Sequence, residues 1–389
     1  MAAMIMVSSA GYGVMFTVLD DIRDQFGVSE SHLGLIVAIG FFASFLAQVL
    51  LAPLADRGHA RRLLMAGLAL QAVGMSVMAL GHSVLPFVIA RAVMGIGAGM
   101  MNPAARRIVV LADPAQLGRN IGRLLAADVV GFAIGPAVSA VLVGPFGISA
   151  PFWAMAGVTA VVFPFALRVH IAEQSRDDVI GRRFAFDLLR DRAYLATVCF
   201  GAAVFLMIGT FDVLWVLVLD DLRAADWIAN LGIVLFAMPL AVLGPYGGRL
   251  SQHHGPFRIG TIGLLVGAVC TTLYGYWPSA GVMFAAAIVH AVNDGLTVSS
   301  TGVAVAMVTP PQRQAGAQGL LGGVQTLVGG LTAMAAGSLY DGSGRRVAYT
   351  VTGIAMAAAV GTGLALLGPR WRDRPGQASD TSSSQSSEK

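Results

Sequence analysis

Apolar runs too long for the core of a soluble domain dominate this chain. We place spans at roughly 2–19, 32–55, 62–80, 84–105, 118–143, 150–168, 194–219, 227–247, 258–277, 280–308, 315–339 and 347–368, twelve in all. A helix needs about 20 residues to cross a hydrocarbon core of about 30 Å. Only 12% of the residues are charged, against roughly 25% in soluble chains. Continuous runs exclude a β-barrel, whose strands alternate over about 10 residues. The chain therefore reads as an all-α membrane protein. Met1 to Leu19 lacks a basic leader and a small-residue cleavage site, so it is expected to be the first span rather than a signal peptide. Cys199 and Cys270 lie inside apolar runs at no metal or redox spacing and read as core residues.

Basic residues set the orientation, because Lys and Arg collect in cytoplasmic loops. With both termini and the even-numbered loops inside, 20 basic residues fall on the inner side and 4 on the outer. Arg91 alone is left in the membrane. The positive charge is thus topological and gives no reason to invoke nucleic acid. Residues 169–193 form the longest polar stretch between spans and read as a cytoplasmic linker. It joins a first six-helix half, 1–168, to a second, 194–368. Residues 369–389 form a tail whose last part, 373–389, is rich in Ser, Gln and Asp and is expected to be disordered. The halves repeat: Val18-Leu19-Asp20-Asp21-Ile22-Arg23 returns as Val218-Leu219-Asp220-Asp221-Leu222-Arg223. Pro114 and Gly122 match Pro311 and Gly319, and the same offset pairs Asp128 with Gln325. Two pseudo-symmetric six-helix bundles follow.

Span five carries the sharpest chemistry. It holds Asp128, the Gly131-x-x-x-Gly135 face and an interior Pro136. An ionisable group at membrane depth normally faces protein or a water-filled path. Glycines four apart let another backbone approach, and Pro removes a backbone donor. Asp212 in span seven and Asp294 in span ten are further membrane acids. Desolvation penalises a charged carboxylate, so such acids can take up and release protons near neutral pH. His290 lies four residues from Asp294 on the same helix face; a satisfied polar pair bridging helices would use the same residues. Asp212 sits among Phe211 and Trp215, a setting that attracts cations but also fits a solvated outer acid. Tyr12, Asn102, Gln325, Trp215 and Asn293 complete the candidate pocket set.

Twelve spans, two halves and a central linker resemble the major facilitator superfamily, and three motifs strengthen the likeness. The loop after span two reads Ala52-Pro53-Leu54-Ala55-Asp56-Arg57-Gly58-His59-Ala60-Arg61-Arg62, similar to G-x-L-A-D-R-x-G-R-K/R. Ala52, His59 and Ala60 depart from it, and in the second-half counterpart Gly244-Pro245-Tyr246-Gly247-Gly248-Arg249 the acid is lost. The resemblance implies a cytoplasmic gate built on Asp56, Arg57 and Arg61, with Asp56 placed among basic residues such as Arg106 and Arg107. Arg91-Ala92-Val93-Met94-Gly95-Ile96-Gly97-Ala98 resembles R-x-x-x-G-x-G-A and implies an Arg beside the proton site; snorkelling is the structural alternative. Gly131-x-x-x-Gly135-Pro136-x-x-Ser139-Ala140 resembles G-x-x-x-G-P-x-x-G-G of proton-coupled exporters.

The expectation is a proton-driven exporter of small apolar or cationic molecules, working by alternating access, with Asp128, Asp294, Arg91 and His290 in proton coupling. A carrier of a specific metabolite is the first alternative, and an integral-membrane enzyme the second; no nucleophile elbow or phosphate loop supports the latter. The only Lys is Lys389 in the tail. The proton gradient is the expected energy source, with no cofactor or metal. The expected partners are a small-molecule substrate, protons and the lipid bilayer. A monomer in a bacterial inner membrane, with both termini cytoplasmic, is the expected setting.

Overall fold

A computed structural model describes residues 1–168 and 184–372 of the chain. The first part of the expected linker, 169–183, and the expected disordered tail, 373–389, lie outside the described residues. Within them every regular element is a helix. The bilayer core supplies no water to satisfy backbone groups, so each crossing must close its own hydrogen bonds.

The first half contains α1 (Ala2–Thr17), α2 (Leu19–Phe26), α3 (Glu30–Leu51), α4 (Ala60–Leu80), α5 (Val84–Ala112), α6 (Leu117–Phe146) and α7 (Ala150–Leu167). The second contains α8 (Arg192–Asp221), α9 (Asp226–His254), α10 (Pro256–Tyr274), α11 (Ala280–Thr297), α12 (Ser300–Val308) and α13 (Gln314–Leu367). Among the described residues nine stretches are long and apolar enough to cross a bilayer. One of these, Pro311–Leu367, has 57 residues, about 85 Å of helix and enough for two passes. Gly344 breaks α13 there with φ 80 and ψ 171, a conformation open only to glycine at low cost. The expected span 280–308 is interrupted where α11 passes into α12 at Val298–Ser299, and the expected first span, 2–19, ends where α1 meets α2 at a bend of 43° near Val18.

Large apolar side chains such as Phe42, Leu85, Val141, Val161, Phe165, Val289 and Met334 are exposed on the outside of the bundle, as a lipid solvent permits. The interior has a polarity of arrangement. One core gathers Val14, Met15, Ile36, Met94 and Phe152, all from the first half. Another gathers Leu214, Trp215, Tyr274, Met283 and Tyr349, all from the second. Three clusters mix the halves: Val49 with Tyr194 and Leu321, Ala55, Leu63 and Ala104 with Ala315, and Val110 and Ile121 with Val303 and Ala306. All three lie at the end that carries residues 52–59 and 309–313. The halves are therefore joined at one end, while at the other each keeps its own core.

Two seams make that joint. Along α6 and α9, a Cβ on Gly122 would strike the carbonyl of Gly244, and one on Gly248 would strike the carbonyl of Gly118. Along α3 and α13, Gln48 Nε2 donates to Thr326 Oγ1 at 3.1 Å, and a Cβ on Gly319 would strike the Gln48 carbonyl. Backbones this close leave no room for side chains, so glycine is required for contact rather than for conformation. Gly122→Leu should hold this end apart. We expect a cysteine placed at Ala115 to react with a soluble maleimide roughly tenfold faster in that background, equivalent to about 1.4 kcal/mol; an unchanged rate would detach the glycine seam from closure.

Candidate functional site

At the joined end, Asp56 of the short 3-10 helix Ala52–Arg57 is only 8% exposed. Its Oδ1 accepts from Arg107 Nε at 3.0 Å and from the backbone N–H of Ala315 at 2.9 Å; its Oδ2 accepts from the N–H of Gly316 at 2.7 Å. Those amides open α13, where helix N–H groups lack partners and carry partial positive charge. A first-half carboxylate thus caps a second-half helix while pairing with a buried first-half Arg. Arg107 is 1% exposed, so the pair forms out of water.

The second half answers from the other side. Gln252 Oε1 accepts from Gly118 N at 2.8 Å, and its Nε2 donates to the carbonyls of Pro114 and Ala115, both at 3.1 Å. Gly118 occupies in α6 the place that Ala315 occupies in α13. Gly248, the counterpart of Asp56, is too close to the Gly118 backbone to bear a side chain, and the cap comes from Gln252 one turn later. The described part of the linker is tied to the same region: Arg313 forms a two-pronged pair with Asp187 at 2.6 and 2.8 Å and donates to Phe184 O at 3.1 Å. Tyr194 donates to Ala317 O at 2.7 Å.

Gating expectations meet one departure here. Arg106 does not join Asp56; neighbouring positions on a helix point about 100° apart, and only Arg107 faces the loop. Arg61 donates to Leu167 O, joining α4 to the end of α7 within the first half. Arg57 is half-buried at the end of the 3-10 helix.

Midway along α6, Asp128 is half-buried and accepts a hydrogen bond from Ser9 of α1. Arg106 of α5 lies within electrostatic range of this carboxyl. Tyr12 is one turn beyond Ser9, with the Arg91 guanidinium 4.8 Å from its ring centroid. Arg91 is fully buried, and none of its three guanidinium nitrogens has a hydrogen-bond partner among the described residues; it lies against Gly40, where a Cβ would come within 2.7 Å of Nη2. Tyr12 Oη and Asn102 Oδ1 are also buried without partners. The glycines of α6 belong to this face. A Cβ on Gly131 would strike the Met6 carbonyl, and one on Gly135 the backbone at Gly13. Pro136 cannot donate to the Phe132 carbonyl four residues back, and Gly13 is packed against that carbonyl.

The second-half acids are elsewhere. Asp294 is 3% exposed, its Oδ1 3.5 Å from His290 Nε2 and 3.2 Å from Asn293 Nδ2. His290 Nδ1 meets Tyr274 Oη at 2.9 Å, and Asn293 also donates to Gly263 O at 3.1 Å. Tyr274 and Gly263 belong to α10, so the polar face of α11 turns into the second half and does not meet Asp128. Asn293, half-buried, thus ties α11 to α10. Trp215 departs from the pocket expectation: 2% exposed, it stacks on Phe211 at 4.8 Å and meets Tyr274 edge-on at 6.1 Å. Asp212, beside it, is exposed on α8. Gln325 is buried against Gly201. Ser9, Tyr274, Gln252 and the role of Arg106 were not foreseen. Ser9 alone had a sequence signal, a hydroxyl one helical turn before Tyr12 in an apolar run.

Two helical sets, fused at one end by capped helix termini and glycine seams, form the frame of a membrane carrier. A model of the Major Facilitator Superfamily matches residues 1–225 and 201–387. The chain belongs to the major facilitator superfamily and is a multi-pass membrane transporter, not an enzyme. It is similar to multidrug resistance protein MdtG of Proteus mirabilis (strain HI4320), 23% identical over 322 residues covering 78% of this chain and 79% of that protein. MdtG of Salmonella paratyphi C (strain RKS4594) is 23% identical over 274 residues, 67% of this chain and 68% of that protein. In fold it is similar to the human organic anion transporter MFSD10 (TM-score 0.78, 16% identity, covering 93% of this chain and 97% of that one). The proton:xylose symporter XylE shares the fold at TM-score 0.75 and 16% identity, covering 92% and 93%.

Asp56→Asn removes the charge that caps α13 and that pairs with the buried Arg107. Hydrogen bonds to charged groups contribute about 1.5–3 kcal/mol each, so closure should weaken by about 2 kcal/mol, roughly 30-fold. Spin labels at Arg62 and His254 should report a shift to longer distances; an unchanged distribution would remove Asp56 from the joint.

Proposed function

We propose that this transporter is a proton-coupled exporter of small apolar or cationic molecules. The observation that carries the reading is Asp128: a titratable carboxyl at mid-depth in α6, held by Ser9, near Arg106, on the helix that also forms the inter-half seam. The MdtG relatives, named as multidrug resistance proteins, support the class of cargo. We further assign the joined end to the cytoplasm of a bacterial inner membrane, on the strength of the basic loops, with both termini on that side. On this reading the halves 1–168 and 194–368 rock about the joint, and the joined end is the closed, cytoplasmic side.

In that state Asp128 takes a proton from the outer side. The neutral acid no longer draws on Arg106, and the cost of moving it past apolar surface falls. The Asp56 and Gln252 caps release as the joined end opens. Substrate entering from the cytoplasm favours loss of the proton, and the ionised carboxyl is again stabilised by Ser9 and Arg106. One proton moves in for each cycle in which cargo moves out, and the gradient supplies the energy. Arg91, fully buried, keeps positive potential beside the Tyr12 ring. His290 and Asp294 form a second, enclosed proton-binding pair; Asp212, exposed beside Phe211, is the acid placed to meet a cationic cargo.

Asp128→Asn should abolish proton movement driven by a panel of cationic and neutral amphiphiles in proteoliposomes containing a pH-sensitive dye, with cargo binding retained. Full proton movement in that variant would take Asp128 out of the coupling. Asp294→Asn separates the two acids: we expect coupling to survive, because its partners all lie inside the second half.

A further inference from the structure

A cavity of about 290 Å³ opens at the joined end, on the seam between α6 and α9. Ala115, Gln116 and Arg119 line it from the first half, and Arg249, Gln252 and His253 from the second. Its polar groups are largely committed except for the cations. Gln116 donates through N and Nε2 to Asp113 and accepts from Arg119 Nη1 at 3.1 Å. Gln252 is held by Gly118, Pro114 and Ala115 as described, and His253 Nδ1 lies 2.9 Å from Arg249 O. Arg119, Arg123 one turn further along α6, and Arg249 form no ion pair with any described residue. The nearby acid, Asp113, is turned to Gln116. The first turn of the 30-residue α6 adds the positive end of its dipole.

Topogenic arginines need only lie in loops; nothing about orientation requires two of them, from different halves, to converge on one cavity. Depth is given by Tyr246, 66% exposed and one turn toward the membrane centre from Arg249. Exposed tyrosines sit at the level of lipid headgroups, so Arg249 and the cavity mouth lie at phosphate depth. Arginine forks suit phosphate oxygens geometrically, and basic pockets between spans are suited to acidic headgroups.

We propose that this cavity binds the phosphate of an anionic membrane lipid, which bridges Arg119 and Arg249 and so clamps the joined end. The two arginines belong to halves that part when the end opens. A ligand that needs both binds the closed state better and by linkage favours it. The site is independent of what the protein carries, and its test needs no transport.

The full-length protein in dodecyl maltoside micelles is titrated with phosphatidylglycerol, and its thermal unfolding midpoint is followed. Phosphatidylcholine serves as the zwitterionic comparison, and inorganic phosphate without lipid as the free anion. Phosphatidylglycerol should raise the midpoint saturably. Arg119→Gln/Arg249→Gln should need at least about tenfold more of it for the same rise, while Arg62→Gln/Arg258→Gln, with the same charge change at other exposed positions, titrates like the wild type. Should the first double variant not fold, Arg249→Gln alone, at an exposed position, carries the comparison. Three outcomes overturn the proposal: wild-type titration of Arg119→Gln/Arg249→Gln; equal losses in both double variants, which would mean diffuse surface charge; or the full rise with inorganic phosphate, which would make this a free-anion site.

Discussion

The joint between the halves depends on one carboxylate. Asp56 reaches from the first half to the opening amides of α13 and at the same time neutralises Arg107. A helix terminus is a natural place for such a bond, because its first N–H groups are unpaired and the dipole favours negative charge. Burial makes the bond strong while it holds. It also makes the bond reversible, since water can solvate carboxylate, guanidinium and amides alike once the end opens. An apolar joint of the same area would have no such alternative solvation, and would be harder to open.

The same joint is built differently on its two sides. Asp56 caps α13 with a charge, and Gln252 caps α6 with a neutral amide. The reason is local packing: α9 comes so near α6 at Gly248 and Gly118 that the position equivalent to Asp56 cannot carry a side chain. The cap moves one turn along, where a longer residue reaches back. Pseudo-symmetry of the backbone is retained while its chemistry is not. The polar contacts at mid-depth show the same asymmetry. Ser9 and Asp128 join α1 to α6, whereas the equivalent helices of the second half meet with Gln325 against Gly201 and with Gly209 against the Gly329 backbone. The acid that faces α1 has no acidic twin.

Much of this architecture was legible in the chain. The spans, the two-fold repeat and the loop bearing Asp56 all lie in local hydropathy and short motifs. The glycines of α6 announced a close neighbour, though not that the neighbour is α1 at Gly131 and Gly135 and α9 at Gly118 and Gly122. Arg106 and Arg107 look alike in sequence; in the fold one lies within electrostatic range of Asp128 and the other pairs with Asp56. Trp215, an aromatic in an apolar run, looked like a pocket residue and is buried among Phe211 and Tyr274.

What the sequence alone determined was how often the chain crosses the membrane, since helix length against bilayer thickness is a local quantity. Which way each helix is turned was decided only by the tertiary structure. In water a polar face marks the outside of a helix, but lipid is as apolar as the protein core, so no stripe of hydrophobic residues reports rotation. Turning α5 by one residue would exchange Arg106 with Arg107, and with them the acid that each one serves. That choice is made by backbone contacts such as Gly97 on Gly67 and Gly99 on Ser44, which exist only once the neighbouring helices are in place.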